Sequence, residues 1–193
     1  MRRDLTNSIL AIVVFTLMFG LAYPLLTTGV AQVLWPNKAD GSQVELDGRV
    51  VGSRLIGQQF RGPRYFHSRP SATDYSANVT FFGNLGPNSK ELSDEFRKNL
   101  AAYLERERPF NPGLQPSDVP PDAIQHAASG VDPHISQANA RIQARRVAEV
   151  RGLPLERMLR LVDDNTDGRG LGVLGEPGVN VLELNLAVDR VAP

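Results

Sequence analysis

The chain has 193 residues, which is enough for one domain of ordinary size with its own hydrophobic core. It carries 21 basic and 21 acidic residues, so its net charge gives no electrostatic reason to expect nucleic acid as a partner. It contains no cysteine, which excludes disulfides, thiolate zinc sites and cysteine nucleophiles.

The N-terminal segment is uncharged over a length that can cross a membrane. Two arginines precede an apolar run over residues 9–26, and the uncharged stretch continues to Trp35. Because about 20 apolar residues span a bilayer as a helix, the run predicts one transmembrane helix. We therefore expect residues 1–35 to form a cytoplasmic N-terminus and a membrane anchor, and residues 36–193 to form a soluble domain. Representative positions of the predicted span are Ile9, Leu10, Phe15, Leu17, Gly20, Tyr23 and Leu26.

The charges on the two sides of the span predict its orientation. Arg2 and Arg3 lie before it, whereas only one of the first four charged residues after it is basic. The positive-inside rule then places the N-terminus in the cytoplasm and the soluble domain outside. A cleaved signal peptide is the alternative, because Gly29 and Ala31 have the small side chains that signal peptidase prefers. We also expect Pro24 to kink the helix.

A hairpin and a long loop follow the span. Residues 44–60 alternate apolar and polar side chains around a turn at Asp47–Gly48, which predicts two short strands. Residues 61–89 are rich in glycine, proline, serine and asparagine, which is typical of an ordered loop. The aromatic side chains expected to anchor this loop are Tyr65, Phe66, Tyr75, Phe81 and Phe82.

Three helices are predicted from capping residues and apolar spacing. Asn88 or Ser89 can cap the first, which Pro109 ends. Ser136 can cap the second, and Gly152 suits the position just beyond its end. A third short helix is expected from Pro154 onward. The arginines expected to keep one side of the second helix in water are Arg141, Arg145, Arg146 and Arg151.

The last segment alternates apolar and polar side chains over residues 179–189, which predicts a half-buried strand. Helices and strands therefore both contribute to the soluble part. The fold class predicted is α+β or mixed α/β, as a single extracytoplasmic domain anchored by one N-terminal transmembrane helix.

The stretch "SGVDPHIS" brings Ser129, Asp132 and His134 close together in sequence. These are the residue types of a hydrolase triad, but triad members converge from separated segments. Pro133 is expected to point Asp132 and His134 apart, and no G-x-S-x-G elbow occurs in the chain. We interpret the stretch as a loop that leads into a helix capped by Ser136.

Two further patterns in residues 163–176 are near-matches to known motifs. Asp163, Asn165 and Asp167 fit the spacing of a calcium loop, but Leu174 stands where a bidentate glutamate is required. Three glycines spell G-x-G-x-x-G, but they follow a helix instead of a strand, so we reject a dinucleotide site. The chain also has neither a phosphate-binding G-x-x-x-x-G-K-[ST] loop nor a metal-binding histidine spacing, so no cofactor is expected from a recognisable motif.

Seven blocks in fixed order carry a resemblance to a known family. They are "YPL" at 23–25, "GSRLIGQQF" at 52–60, "YFHSRPSA" at 65–72, "NLGPNS" at 84–89, "ASGVDPHIS" at 128–136, "RVAEVRGL" at 146–153 and "LGEPGVNVLELNLAVD" at 174–189. In these blocks the chain resembles the KdpC family, whose members are subunits of the bacterial Kdp-type potassium-transporting ATPase. One departure is Val131, where leucine is commoner in the family.

The resemblance implies a non-catalytic subunit of an ATP-driven, high-affinity potassium uptake complex in the inner membrane. Its implied partners are a channel-like potassium-translocating subunit, a P-type ATP-hydrolysing subunit, a small membrane subunit and membrane lipid. ATP and potassium are implied for the complex. The family is described both as covering the outer mouth of the channel-like subunit and as a chaperone that raises the ATP affinity of the hydrolysing subunit. We favour the outer position, because the distribution of arginines supports it.

We expect the aromatic and glycine-rich loops to form the surface that docks on the channel-like partner, because aromatic side chains and arginine are enriched at interfaces. An independent single-span or secreted envelope binding protein is the alternative function. The candidate interface residues are Tyr65, Phe66, Arg69, Asn84, Ser129, Asp132 and His134.

Overall fold

The computed structural model of the chain describes residues 2–76, 78 and 84–191. It contains two compact units, Met1–Val51 and Gly52–Pro193. The helices are α1 (Arg2–Phe15), α2 (Tyr23–Leu34), α3 (Pro36–Ala39), α4 (Lys90–Glu107), α5 (Gln137–Arg151), α6 (Leu155–Asp164) and α7 (Val181–Val191). The strands are β1 (Gln43–Leu46), β2 (Arg49–Ser53), β3 (His134–Ile135), β4 (Thr166–Asp167) and β5 (Gly178–Asn180). The predicted mixture of helix and sheet with one N-terminal apolar helix is confirmed. The predicted division at residue 35 stays a prediction, and Phe81 and Phe82 lie outside the described residues.

The first unit is dominated by one continuous apolar helix. Arg2–Leu34 is 33 residues long and, within the described part of the chain, is the one helix long and apolar enough to cross a membrane. Its middle section, Thr16–Ala22, is π-helical and ends just before Pro24, a residue that cannot donate a backbone hydrogen bond. The Thr27 hydroxyl donates to the Tyr23 carbonyl oxygen at 3.0 Å, so this polar side chain is satisfied within the helix.

Strands β1 and β2 form the predicted hairpin. Asp47 and Gly48 at its turn have φ values of 52° and 73°. Two consecutive positive φ values are the geometry of the tight turns that match the twist of paired strands. The Asp-Gly signal in the sequence therefore identified this turn correctly.

The second unit packs α5, α6 and α7 around a small antiparallel sheet. The strand order is β3-β5-β4, with Ile135 and Thr166 on either side of Val179. Its main core contains Phe66, Ile135, Ala140, Ala144, Val147, Ala148, Met158, Val162, Val179, Val181, Leu184 and Val188. A smaller cluster under α4 contains Tyr103, Leu104, Val119 and Ala123.

The three helices predicted from capping signals are confirmed. The Ser89 hydroxyl accepts from the Leu92 N–H at 3.2 Å, and the Ser136 hydroxyl accepts from the Asn139 N–H at 3.1 Å. Gly152 closes α5 in the left-handed region at φ 66°. Each cap satisfies a backbone group that the first or last helical turn leaves without a partner.

The prediction of a strand over residues 179–189 was wrong beyond Asn180. Only Gly178–Asn180 is a strand, and Val181–Val191 is helix α7. Val181, Leu184 and Val188 are buried at the i, i+3 and i+7 positions of a helix, so a period of 3.6 fits the burial better than a period of 2. The Asn180 side chain accepts from the Glu183 N–H at 3.2 Å and caps the helix.

Candidate subunit interface

Residues 63–68 run across the second unit without joining a sheet, and helix side chains satisfy their backbone. We name them the clamped loop. Asn185 on α7 accepts from the Phe66 N–H at 2.8 Å and donates to the Phe66 carbonyl at 2.9 Å. Gln143 on α5 makes the same pair of bonds with His67, at 2.8 and 3.1 Å. Two side-chain amides thus replace a neighbouring strand, which fixes the clamped loop in place.

A buried ion pair holds the start of the clamped loop. Arg146 and Glu107 are both fully buried, and the Arg146 Nε lies 3.0 Å from one Glu107 carboxylate oxygen. The Arg146 Nη1 also donates to the carbonyl oxygens of Pro63 and Tyr65. Burial lowers the pKa of Arg146 from its ordinary value, and the adjacent Glu107 opposes that shift.

Two arginines expected to lie in water are buried instead. Arg146 is 0% exposed and the Arg151 side chain is 1% exposed, whereas Arg141 and Arg145 are exposed as predicted. The prediction was wrong for Arg146 and Arg151 because helical spacing shows which residues share a face and does not show which polar residues have buried partners. Arg151 pairs with Asp189 at 2.6 Å.

Tyr65 lies half-buried at the edge of the clamped loop. The Tyr65 ring centroid is 5.7 Å from the Phe60 ring centroid. The Arg151 guanidinium carbon lies 4.9 Å from the Tyr65 ring centroid. Phe66, the next residue, is 0% exposed and belongs to the core. Of these two neighbouring aromatic residues, only Tyr65 is partly exposed.

Arg69 and Asp132 connect the glycine-rich loop to the loop before β3. Their side chains form an ion pair at 2.9 Å and are 25% and 30% exposed. The Tyr75 hydroxyl donates to the Arg69 carbonyl oxygen at 2.6 Å, which also fixes the backbone at this point. The Arg69 Nε is buried and has no hydrogen-bond partner within the described residues.

Two glycines allow these loops to approach closely. The Gly57 N–H donates to the Val131 carbonyl at 2.7 Å, and a Cβ on Gly57 would lie 2.4 Å from the Asp132 carbonyl oxygen. Gly130 has φ 72°, and a Cβ there would lie 2.5 Å from the Thr73 hydroxyl. Any larger side chain at either position would therefore push the two loops apart.

Ser129, Asp132 and His134 do not form a triad. The exposed Ser129 hydroxyl accepts from the Val131 N–H at 3.2 Å, and Asp132 accepts from the His134 N–H at 3.0 Å. The His134 Nε2 lies 3.0 Å from Asp167 Oδ2. The expectation that Pro133 separates the side chains of Asp132 and His134 was wrong, because His134 Nδ1 comes within 3.9 Å of Asp132 Oδ1.

The remaining sequence signals fall in different parts of the fold. Asn84 is exposed at the end of the glycine-rich loop. Asp163, of the near-match to a calcium loop, lies in α6 and pairs with Arg141 at 2.8 Å. Asn165 donates to the Leu161 carbonyl. Within the described ranges, no group of three or more His, Asp or Glu side chains is placed to hold a metal ion.

A polar cavity of about 230 Å³ lies beside the clamped loop, between it and α4. His67, Tyr75, Tyr103 and Arg106 contribute to its wall. Burial, with a further contribution from Arg106, lowers the pKa of His67 to about 4. Because the His67 Nε2 lies 2.9 Å from the Gly62 carbonyl oxygen, this nitrogen carries the proton of the neutral ring. The arginine makes the cavity unfavourable for a free cation.

Sequence reasoning missed the residues that hold the clamped loop. Gln143 and Arg146 lie on the buried face of α5 among alanines and a valine, together with Asn139, which accepts from the Gln143 side-chain amide at 2.9 Å. Asn185 lies on the buried face of α7. Polar side chains spaced three or four residues apart on an otherwise small apolar face are the signal that could have revealed them. The backbone groups that they bind in the clamped loop are far away in sequence, so no local sequence pattern identifies these partners.

Comparison with known proteins gives a consistent result over the whole chain. The family model "KdpC: K+-transporting ATPase, c chain" matches residues 5–190. The chain is 48% identical over 195 residues to the potassium-transporting ATPase KdpC subunit of Rhodospirillum rubrum, covering 100% of this chain and 98% of that one. It is 45% identical over 195 residues to the protein of the same name from Koribacter versatilis, covering 100% and 97%. For that of Caldanaerobacter subterraneus subsp. tengcongensis the identity is 44% over 188 residues, covering 97% and 95%.

Proposed function

Since the chain belongs to the KdpC family of K+-transporting ATPase subunits, we propose that it is a non-catalytic subunit whose extracytoplasmic domain docks on a channel-like, potassium-translocating partner. The clamped loop is the observation that carries this proposal. Helix side chains fix its backbone, while Tyr65, Arg69 and Asp132 remain partly exposed along its edge. A surface ordered before binding loses little conformational entropy on docking, which favours its use as an interface.

The non-catalytic role is supported by the bonds of the reactive side chains. Ser129 accepts from a backbone N–H within its own loop, and His134 contacts Asp167 instead of a serine. Nucleophilic catalysis requires the serine and the histidine to be within hydrogen-bond reach of each other. We propose that ATP is hydrolysed by a separate P-type subunit and that ATP and potassium are ligands of the complex.

The proposed topology follows from the charges that flank the apolar helix. Arg2 and Arg3 lie at its start, so the N-terminus is cytoplasmic and the second unit is outside the inner membrane. Nucleotide and the second unit then lie on opposite sides of the bilayer. We propose that any increase in the ATP affinity of the hydrolysing subunit is transmitted through the membrane-embedded partners, which include a small membrane subunit and bound lipid.

Co-purification tests the proposal. The chain is tagged at its C-terminus, cells are grown with limiting potassium, and membranes are solubilised gently. We expect a P-type ATPase and a channel-like protein to co-purify, with potassium-stimulated ATPase activity. If the chain is recovered alone, or without its first 31 residues, it is an independent envelope protein instead.

Single substitutions test the interface itself. We expect Tyr65→Ala and Arg69→Ala to lower recovery of the channel-like protein, whereas Arg97→Ala should not. Arg97 is the matched control because its side chain is 78% exposed on α4 and pairs with the nearby Asp94. Full recovery with both variants would remove the clamped loop and the adjacent Arg69 from the interface. Phe66 is unsuitable for this test because it is buried, so its replacement would measure stability.

A further inference from the structure

The loop between β4 and β5 exposes a cluster of aliphatic side chains. Leu171, Val173 and Leu174 are 92%, 73% and 62% exposed. Elsewhere in the described residues of the second unit, the exposed large apolar side chains are Leu55, Ile56 and Val150. Half of the exposed large apolar residues described in this unit therefore lie within four consecutive positions. We name residues 170–174 the apolar tip.

The apolar tip has a defined conformation. Gly170 and Leu174 exchange two backbone hydrogen bonds of 2.8 Å, and the Gly172 N–H donates to the Arg169 carbonyl at 3.0 Å. Arg169 also binds both carboxylate oxygens of Glu176 at 2.9 and 3.1 Å, which closes the base of the loop. These bonds fix the aliphatic side chains in the exposed position.

Leu171 occupies a position that ordinarily favours glycine or asparagine. Its φ is 52°, in the left-handed region, where a Cβ is sterically unfavourable. The most exposed large apolar side chain among the described residues therefore stands at a strained backbone position. Exposure and strain together are expected where a side chain is used for contact with something outside the domain.

We propose that the apolar tip inserts into an apolar pocket on another protein subunit of the potassium-transporting complex, an inference that rests on the proposed function. The local charges favour a protein over a lipid surface. Arg169 is paired with Glu176, and Asp167 at the base of the loop is paired with Arg54 at 3.7 Å, so the loop carries no excess of positive charge. Segments that insert at anionic lipid surfaces carry unpaired basic residues and aromatic side chains, and residues 168–177 contain neither a tryptophan nor an unpaired arginine.

The size of the apolar tip indicates the kind of contact it makes. Three aliphatic side chains bury roughly 300 Å² of apolar surface, whereas a stable interface between free proteins buries about 800 Å² on each partner. The apolar tip alone would not hold two free copies of this chain together. It suits a partner that is already held nearby, as subunits of one membrane complex are, because tethering raises the effective concentration.

Site-specific photo-cross-linking tests this inference in the full chain. A photoreactive amino acid is introduced at position 171, and at position 150 as the control, and the complex is purified after illumination. Val150 is the matched control because it is apolar, 37% exposed and outside the loop. We expect position 171 to form a covalent adduct with another subunit and position 150 to form none.

A double variant provides the second measurement. Leu171→Ser with Val173→Ser is expected to lower retention of the partner subunit after a salt and detergent wash by about tenfold, and Val150→Ser should not. Because both side chains are solvated in the domain, the thermal unfolding of the variant should match that of the wild type. That match separates a lost contact from a lost fold.

Each outcome has a distinct meaning. If the wild-type complex is recovered but position 171 reacts only with lipid, with a second copy of this chain or with nothing, the inference is wrong and the proposed function stands. A lipid adduct would assign the apolar tip to the membrane surface. If the wild-type chain is recovered without partners, both the proposed function and this inference fail.

Discussion

The buried pair of Arg146 and Glu107 allows a quantitative prediction for Arg146→Met. The substitution leaves the Glu107 carboxylate fully buried with Arg106 as its remaining cationic neighbour, at 2.9 Å. It also removes the donor to the carbonyl oxygens of Pro63 and Tyr65. Removing one partner of a buried ion pair costs about 3–5 kcal/mol, and a whole domain is stable by only about 5–15 kcal/mol. We therefore expect the second unit of the variant to be marginally stable.

The measurement is urea unfolding of the full chain in mild detergent, followed by far-ultraviolet circular dichroism. Helices α4 to α7 supply the change in signal, because the apolar N-terminal helix is expected to stay helical in detergent. Fluorescence is less suitable, because Trp35 is the one tryptophan and lies in the first unit. Arg141→Met is the control on the same helix. Its ion pair with Asp163 is about half exposed, so a change below about 1 kcal/mol is expected.

A double-mutant cycle tests the electrostatic reason. Glu107→Gln removes the charge that Arg146→Met leaves without its main partner, so the double variant should be more stable than Arg146→Met alone. The reasoning is refuted if Arg146→Met lowers the unfolding free energy by less than about 1 kcal/mol. It is also refuted if adding Glu107→Gln gives no recovery of stability.

Three further predictions concern the same unit. The folded-state pKa of His67 is lowered from 6.5 to about 4, so the unfolded chain takes up a proton first as the pH falls. The contribution of His67 to the free energy of unfolding should therefore be complete above pH 6.5 and decrease by roughly 3 kcal/mol between pH 6.5 and 4. If the unfolding free energy of His67→Gln varies with pH as steeply as that of the wild type, this prediction is wrong. Gly57→Ala should lower the melting temperature and the recovery of partners together, because its Cβ would lie 2.4 Å from the Asp132 carbonyl oxygen; wild-type values for both would disprove the steric argument. Ser136→Ala should lower the unfolding free energy by about 1 kcal/mol through loss of the α5 cap, and no change in a urea titration would exclude a capping role.

Local chemistry explains which elements could be predicted from the sequence. Helices α4 and α5 begin at serines whose side chains cap them, and the hairpin turns at Asp47–Gly48. Each of these signals acts within a few residues, so the chain itself displays it. The long apolar N-terminal helix was equally predictable, because its length and composition are both apparent in the sequence.

The secondary structure of the C-terminal segment was harder to predict, because its apolar residues fit both the period of 2 of a strand and the period of 3.6 of a helix. Leu182, Leu184 and Val188 alternate with polar residues, which favours a strand, yet burial at Val181 and Leu184 follows a helix. Asn180 followed by Glu183 was the available capping signal. For so short a segment, packing against the core decides between the two periods.

The arrangement of the candidate interface could not be derived from local patterns. The glycine- and proline-rich composition predicted an ordered loop, and Tyr65 and Arg69 were selected from it. The residues that order the loop, Gln143 and Asn185, lie 76 and 119 positions away from their backbone partners. Only the tertiary fold brings such pairs together.

These separations also determine when the clamped loop can form. A contact that closes a long stretch of chain is entropically expensive until the intervening structure exists, so nonlocal pairings form late in folding. Phe66 cannot form its bonds with Asn185 until α7 has been synthesised, more than a hundred residues later in the chain. The surface proposed for docking is therefore among the last parts of the molecule to become ordered. A nascent or truncated chain would lack it, so that only a completely folded copy presents the surface for assembly.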